Sequence, residues 1–217
     1  MNMFRAVFGV LVLSAGSFAP PQPNATGHKS CCGEITAAGR RLTATLDAMK
    51  VESLWLAHEH VNWETGEADR GGEYRGPDRH THCSAFAAAV AKRMDVYLLR
   101  PPEHGQQLLA NAQAVWLGTE QARRQGWQEI SGAERAQTAA NRGHFVLVVY
   151  ANPDSHAPGH IAIVRPSEKS AAALERHGPQ IIQAGTHNHT STTVRIGFSS
   201  HPEAWPAGVR YYVHELR

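Results

Sequence analysis

His82-Cys83-Ser84-Ala85-Phe86-Ala87-Ala88-Ala89-Val90-Ala91 and Gly159-His160-Ile161-Ala162-Ile163-Val164 are the stretches whose reading decides the fold. In the first, Cys83, Phe86, Ala87, Val90, Ala91 and Met94 recur at helical spacing. One unbroken apolar stripe predicts a helix starting near Thr81 that is central to the core. The second stretch is a short run rich in β-branched residues, led by a glycine, and predicts a buried strand. Gly159 lets another backbone or a ligand come close. The period changes between the two stretches, so one chain carries both kinds of element.

Upstream, Ile35, Ala38, Leu42, Leu46 and Met49 predict an amphipathic helix near 34–50. From His58 to Arg79 the chain is glycine-rich, charged and without period, which reads as a long loop of functional character. Helix returns from Gly105 to near Gln125. Ser131-Gly132-Ala133-Glu134 has the pattern of a capping box opening a further short helix. His144–Tyr150 is a continuous apolar run suited to a central strand. A short helix is expected over Glu168–His177, with strands over Gln180–Ala184, Thr192–Phe198 and Val209–Leu216. Helices first and antiparallel strands second describe an α+β domain, with helices packed on one face of a sheet of about five strands.

The chain has 217 residues and a formal charge of +2, with basic residues scattered along it. No Lys/Arg stripe is present to track phosphates, so nucleic acid is not the expected partner. Arg5 followed by an apolar run of about 14 residues, Ala6–Ala19, has the pattern of an export signal and is too short to span a bilayer. A buried N-terminal helix is the alternative. Residues 1–25 are read as signal and linker, and 30–217 as one domain, secreted or periplasmic and free of the membrane once the signal is removed. Export leaves an odd thiol among three cysteines. The economical reading makes Cys83 the working thiol. Cys31 and Cys32 then form a vicinal disulfide, pair between molecules or stay reduced; the competing reading bridges one of them to Cys83.

A cysteine in the first helical turn sits where unpaired N–H groups and the dipole favour an anion, which lowers a thiol pKa and can stabilise an adjacent oxyanion. A free cysteine is also commonly a small buried hydrophobe. His160, on the strand face of Ala162 and Val164, supplies the candidate base.

Cys83-Ser84-Ala85-Phe86 on a helix, followed by Gly159–Val164 on a strand, resembles the NlpC-like and CHAP cysteine peptidases and amidases of the papain-like superfamily. The resemblance covers roughly residues 78–200. It implies a papain-like core and a nucleophilic cysteine cleaving amide bonds, typically in peptidoglycan or a peptide, with no metal and no cofactor. Cys83 and His160 carry over directly. The third position, a polar residue on the next strand that orients the histidine, falls on Gln183, with Asn188 and His187 as alternatives. The acidic or polar residue before the cysteine is here His82, which either donates to the oxyanion or lies outside the site. Trp63, Thr65 and Tyr74 are candidate cleft-lining groups for a peptide or sugar–peptide substrate, and Asn188 a candidate substrate contact.

Two rival classes stand beside this one. His58-Glu59-His60, His80-Thr81-His82 and His187-Asn188-His189 each place two imidazoles on one face of an extended chain, the raw material of a zinc or copper site. A cell-wall binding module of the same fold, without turnover, is the other.

Overall fold

The computed structural model describes residues 30–73 and 80–216. The expected signal segment and Tyr74 lie outside the described residues. The chain runs α1 (Ala37–Asp47), β1 (Glu59–Val61), β2 (Ala68–Glu73), α2 (Cys83–Arg93), α3 (Leu109–Leu117), α4 (Glu120–Arg124), β3 (Trp127–Ile130), α5 (Ala133–Asn141), β4 (Phe145–Tyr150) and β5 (His160–Val164). It continues through α6 (Ala171–His177), β6 (Gln180–Gln183), β7 (His189–Thr193), α7 (Val194–Gly197) and β8 (Arg210–His214). The fold is α+β. Six antiparallel strands in the order β3-β8-β4-β5-β6-β7 form the main sheet, and β1 and β2 pair separately.

The helices cover both faces of this sheet, not the one face expected. Phe145, Leu147 and Val149 of β4 join Ile161 and Ile163 of β5 in a layer with α2 and the apolar face of α1. Val146, Val148 and Tyr150 join Ala162 and Val164 in a second layer with Ala136 and Ala140 of α5 and Phe198. That is why β4 and β5 read as continuous apolar runs: both of their sides are buried. Cys83–Ala91 of α2 is buried all round, and its alanines let neighbours approach from every side.

Other expectations also change. The sheet has six strands rather than about five, because Trp127–Ile130, for which no strand was expected, pairs with β8. The helix expected over 105–125 breaks at Gly118, where Thr119 caps a new one by accepting the Ala122 N–H. The loop expected over 58–79 contains the β1–β2 pair, folded around Gly66. Thr192–Phe198 is not one strand: β7 ends at Thr193 and a helical turn, α7, follows. The capping box at Ser131 does not form. Gly132, at φ 87°, takes the N-cap position with no side-chain bond.

Cys31 and Cys32 form a vicinal disulfide, and Cys83 is free, so the bridge to Cys83 is not made. The disulfide loop is held by the buried Asn141, whose amide donates to the carbonyls of Cys32, Gly33 and Ser167 and accepts from Ser167 N–H.

Candidate active site

Cys83 is the first residue of α2, so its sulfur sits among the unpaired amides that open the helix. His82 is the N-cap and makes no side-chain cap bond. The thiol is buried, 5% exposed, in the layer of Phe86 and Ile161. The backbone groups of Ile161, Ser84 and Cys83 lie near enough to the sulfur to favour its anion. Helix α2 thus brings the thiol to the peptide group that follows His160.

Strand alternation places His160 differently from expectation. Ile161 and Ile163 face α2, whereas His160, with Ala162 and Val164, belongs to the opposite side. It stands at the end of the strand, directly across from Tyr150. Its ring packs edge-on against Phe198 at 4.6 Å and stacks with His201 at 6.4 Å.

Gln183 and His160 come together as expected. His160 Nε2 lies 2.9 Å from Gln183 Oε1, and Gln183 Nε2 donates to the His187 carbonyl. With its amide hydrogens turned toward that carbonyl, Gln183 offers the ring an acceptor. Nε2 therefore carries the proton and Nδ1 keeps a lone pair. Gly197 permits this pair: a Cβ there would lie 2.4 Å from Gln183 Oε1. Gly159 is equally close-packed, its absent Cβ falling 2.3 Å from the Tyr150 carbonyl oxygen.

Burial pushes the Cys83 thiol up despite the opposing Ile161, Ser84 and Cys83 backbone groups. Burial likewise pushes the His160 imidazole down, with the Gln183 bond opposing it. Both shifts favour the neutral form, of the thiol on one side of β5 and of the imidazole on the other. The depressed thiol expected from the helix terminus is not what the free protein carries, because desolvation outweighs the dipole.

Two clefts adjoin this region. One, of about 460 Å³, is lined by His160, Gln183, His187, His189, Ile196 and His201, among others. The other, of about 400 Å³, is lined by His60, His80, His82, Ser84 and Gln106, among others. Thr81 belongs to both walls, so the clefts meet at the start of α2.

The other candidates are dispersed. His82 Nε2 donates to the Glu59 carbonyl at 2.8 Å and ties β1 to α2, while its Ser84 side opens on the second cleft. Trp63 lines neither cleft; Lys92 sits 5.6 Å from its ring, and its carbonyl accepts the Trp55 indole. Thr65 lines a separate hollow with Lys92. Asn188 donates to the carbonyls of Val51, Leu54 and Trp55 and accepts from Gly185 N–H, which commits it to holding two loops together. Among the described residues no group of three His, Cys, Asp or Glu side chains has metal-binding geometry.

Phe198 and His201 were not anticipated. They follow α7; Phe198 ends the stretch that reads as a strand, His201 lies beyond it, and a strand there would send alternate residues to opposite faces. Only the helical turn returns them to His160. Comparison with known protein families and with curated proteins finds no match to this sequence.

Proposed function

We propose that this protein is an exported cysteine hydrolase of papain-like type that cleaves amide bonds, with peptidoglycan as the substrate class. The observation that carries the reading is the buried His160–Gln183 hydrogen bond, which orders one imidazole tautomer on the residue adjoining the peptide group that meets Cys83. Peptidoglycan rests on the resemblance around Cys83 and His160.

The reaction begins from the neutral pair. The reading requires the Cys83 thiol, on the α2 side of the sheet, to reach His160 around the start of β5. As Cys83 Sγ attacks the amide carbonyl, His160 Nδ1 then takes the thiol proton, and Gln183 holds the ring as it becomes charged. The amides opening α2 receive the oxyanion. Collapse breaks the C–N bond, and His160 gives its proton to the departing amine, leaving a thioester. Water then attacks, His160 takes its proton, and the C–S bond breaks. The acid leaves and the proton returns to the sulfur.

The buried thiol favours a second reading: a cell-wall binding module without turnover. Purified sacculi incubated with wild type and Cys83→Ala separate the two. The hydrolase reading expects new amino groups from wild type and none from the variant. Binding by both with cleavage by neither establishes the module, and cleavage by the variant overturns the role of Cys83.

A further inference from the structure

The geometry points to His201 as a positioning residue for His160, seated by the hydrogen bond between Tyr150 and Glu203. For any effect on turnover this rests on the hydrolase reading, to which it adds what holds the ring of the base besides Gln183. The Gln183 bond fixes one atom of that ring, Nε2, and a single hydrogen bond leaves a ring able to pivot about it. Two further contacts oppose the pivot. Phe198 meets the ring edge-on at 4.6 Å and 72°, and His201 lies against it at 6.4 Å with 28° between the planes. His201 also lines the cleft beside His160, where an imidazole can pack through its ring and still be wetted at its polar edge.

His201 is itself seated from two directions. Tyr150 of β4 stands directly across from His160, so both side chains leave the sheet on the same face. The His201 ring packs on Tyr150 at 5.0 Å and 36°, and so reaches both members of this cross-strand pair. The Tyr150 hydroxyl donates to Glu203 Oε1, two residues beyond His201, and ties the 198–209 connection to β4. Burial first, then Glu203, hold the Tyr150 phenol up at about 12, so the hydroxyl stays a donor. Within the connection the His201 N–H donates to the Phe198 carbonyl, and the Ala204 N–H to the His201 carbonyl, at 2.9 Å each. Gly208 lets the chain close behind Glu203: a Cβ there would lie 2.4 Å from the Glu203 carbonyl oxygen. The connection therefore carries Phe198, His201 and Glu203 to one cross-strand pair.

The test is nuclear magnetic resonance on the full-length protein with isotope-labelled histidine. It is run at about pH 8, where burial leaves both His160 and His201 neutral. The readout is solvent exchange of the His160 Nε2–H, assigned by its loss in His160→Gln. His201→Ala is expected to speed this exchange about tenfold or more while exchange of the β4 amides stays unchanged. His201→Phe keeps a ring against Tyr150 and His160 and should return the rate to within about threefold of wild type. Glu203 is exposed, so Glu203→Ala leaves the core intact, and it should speed the exchange about threefold or more by releasing the connection. An unprotected Nε2–H in wild type, or an unchanged rate in His201→Ala, overturns the proposal. So does a rate in His201→Phe as fast as in the alanine variant, or an acceleration matched by the β4 amides. An unchanged rate in Glu203→Ala overturns the seating by Tyr150 and Glu203. On purified sacculi the variants should rank in the same order by initial release of amino groups. Should wild type release none, the hydrolase reading falls, and the exchange rates still decide whether His201 places the ring.

Discussion

His160 Nε2–H donates to Gln183 Oε1 across 2.9 Å, and both side chains are buried. On the hydrolase reading, the bond decides which ring nitrogen is left to act as base. Replacing Gln183 tests it in two directions. Gln183→Ala leaves a buried N–H without its partner and is expected to cost about 1–3 kcal/mol of stability. The same variant should lower kcat by about tenfold or more, since the ring is no longer held. Gln183→Glu sets an anion against the imidazole, favours its charged form and should move the acidic limb of the pH–rate profile up by about one unit or more. An unmoved acidic limb in a folded Gln183→Glu protein would contradict the assignment.

The neutral resting pair makes a kinetic prediction. On the hydrolase reading, activity needs a neutral His160 to accept a proton and a protonated Cys83 to provide one. Because burial pushes His160 down and Cys83 up, the active window should be wide. It should open below the ordinary histidine pKa of about 6.5 and close above the ordinary thiol value of about 8.5. Iodoacetamide should alkylate Cys83 slowly at neutral pH, accelerating only above the usual thiol range. Fast modification near neutrality, equal to that of a thiolate, would show that the pair rests as ions.

Gly197 is the most specific packing test. A methyl group there meets Gln183 Oε1 at 2.4 Å, so Gly197→Ala must displace the amide or the α7 turn. Overpacking of this kind costs about 1–3 kcal/mol. The expected signature is a loss of kcat larger than the loss of thermal stability would explain, as the collision falls on the positioning residue.

Acid sensitivity follows from the buried imidazoles. His160 and His82 both have folded pKa values pushed below the ordinary one by burial. Between the folded and unfolded values the unfolded chain binds more protons, so stability rises with pH there. Their contribution is complete above about pH 6.5 and is lost as pH falls through the folded values. Thermal melts should therefore show the midpoint dropping on acidification from neutrality, with a smaller drop in His160→Gln. A flat midpoint across that range would sink the claim.

Asn188 carries a structural prediction. Its amide bridges the 51–55 segment to the turn before β7, accepting one backbone N–H and donating to backbone carbonyls. Asn188→Ala leaves these groups unpaired and should cost about 2–4 kcal/mol by urea unfolding. Its effect on activity should track that destabilisation and disappear at lower temperature.

Legibility varied with the type of signal. Helix α1, helix α2 and strands β4, β5, β6 and β8 were readable because each carries a strong apolar period. The β1–β2 pair was not, since Glu59–Val61 is held by pairing rather than by a pattern of its own. His160 and Gln183 were found through their positions on successive strands. Phe198 and His201 carry no such signal: α7 interrupts the strand expected up to Phe198, and His201 lies beyond that stretch.

The apolar periodicities by themselves determined that this chain forms a helix starting near Thr81, which in the structure begins at Cys83, and a buried strand beginning at His160. Each needs only neighbours along its own segment. Which face of that strand meets the helix was decided by tertiary structure alone. Both faces of β5 are apolar, so alternation cannot distinguish them, and only the packing of α2 against Ile161 and Ile163 leaves His160 turned toward Gln183 and His201. The charge state of the thiol was settled in the same way. The helix terminus favours a thiolate, but the burial that opposes it comes from residues distant in the chain.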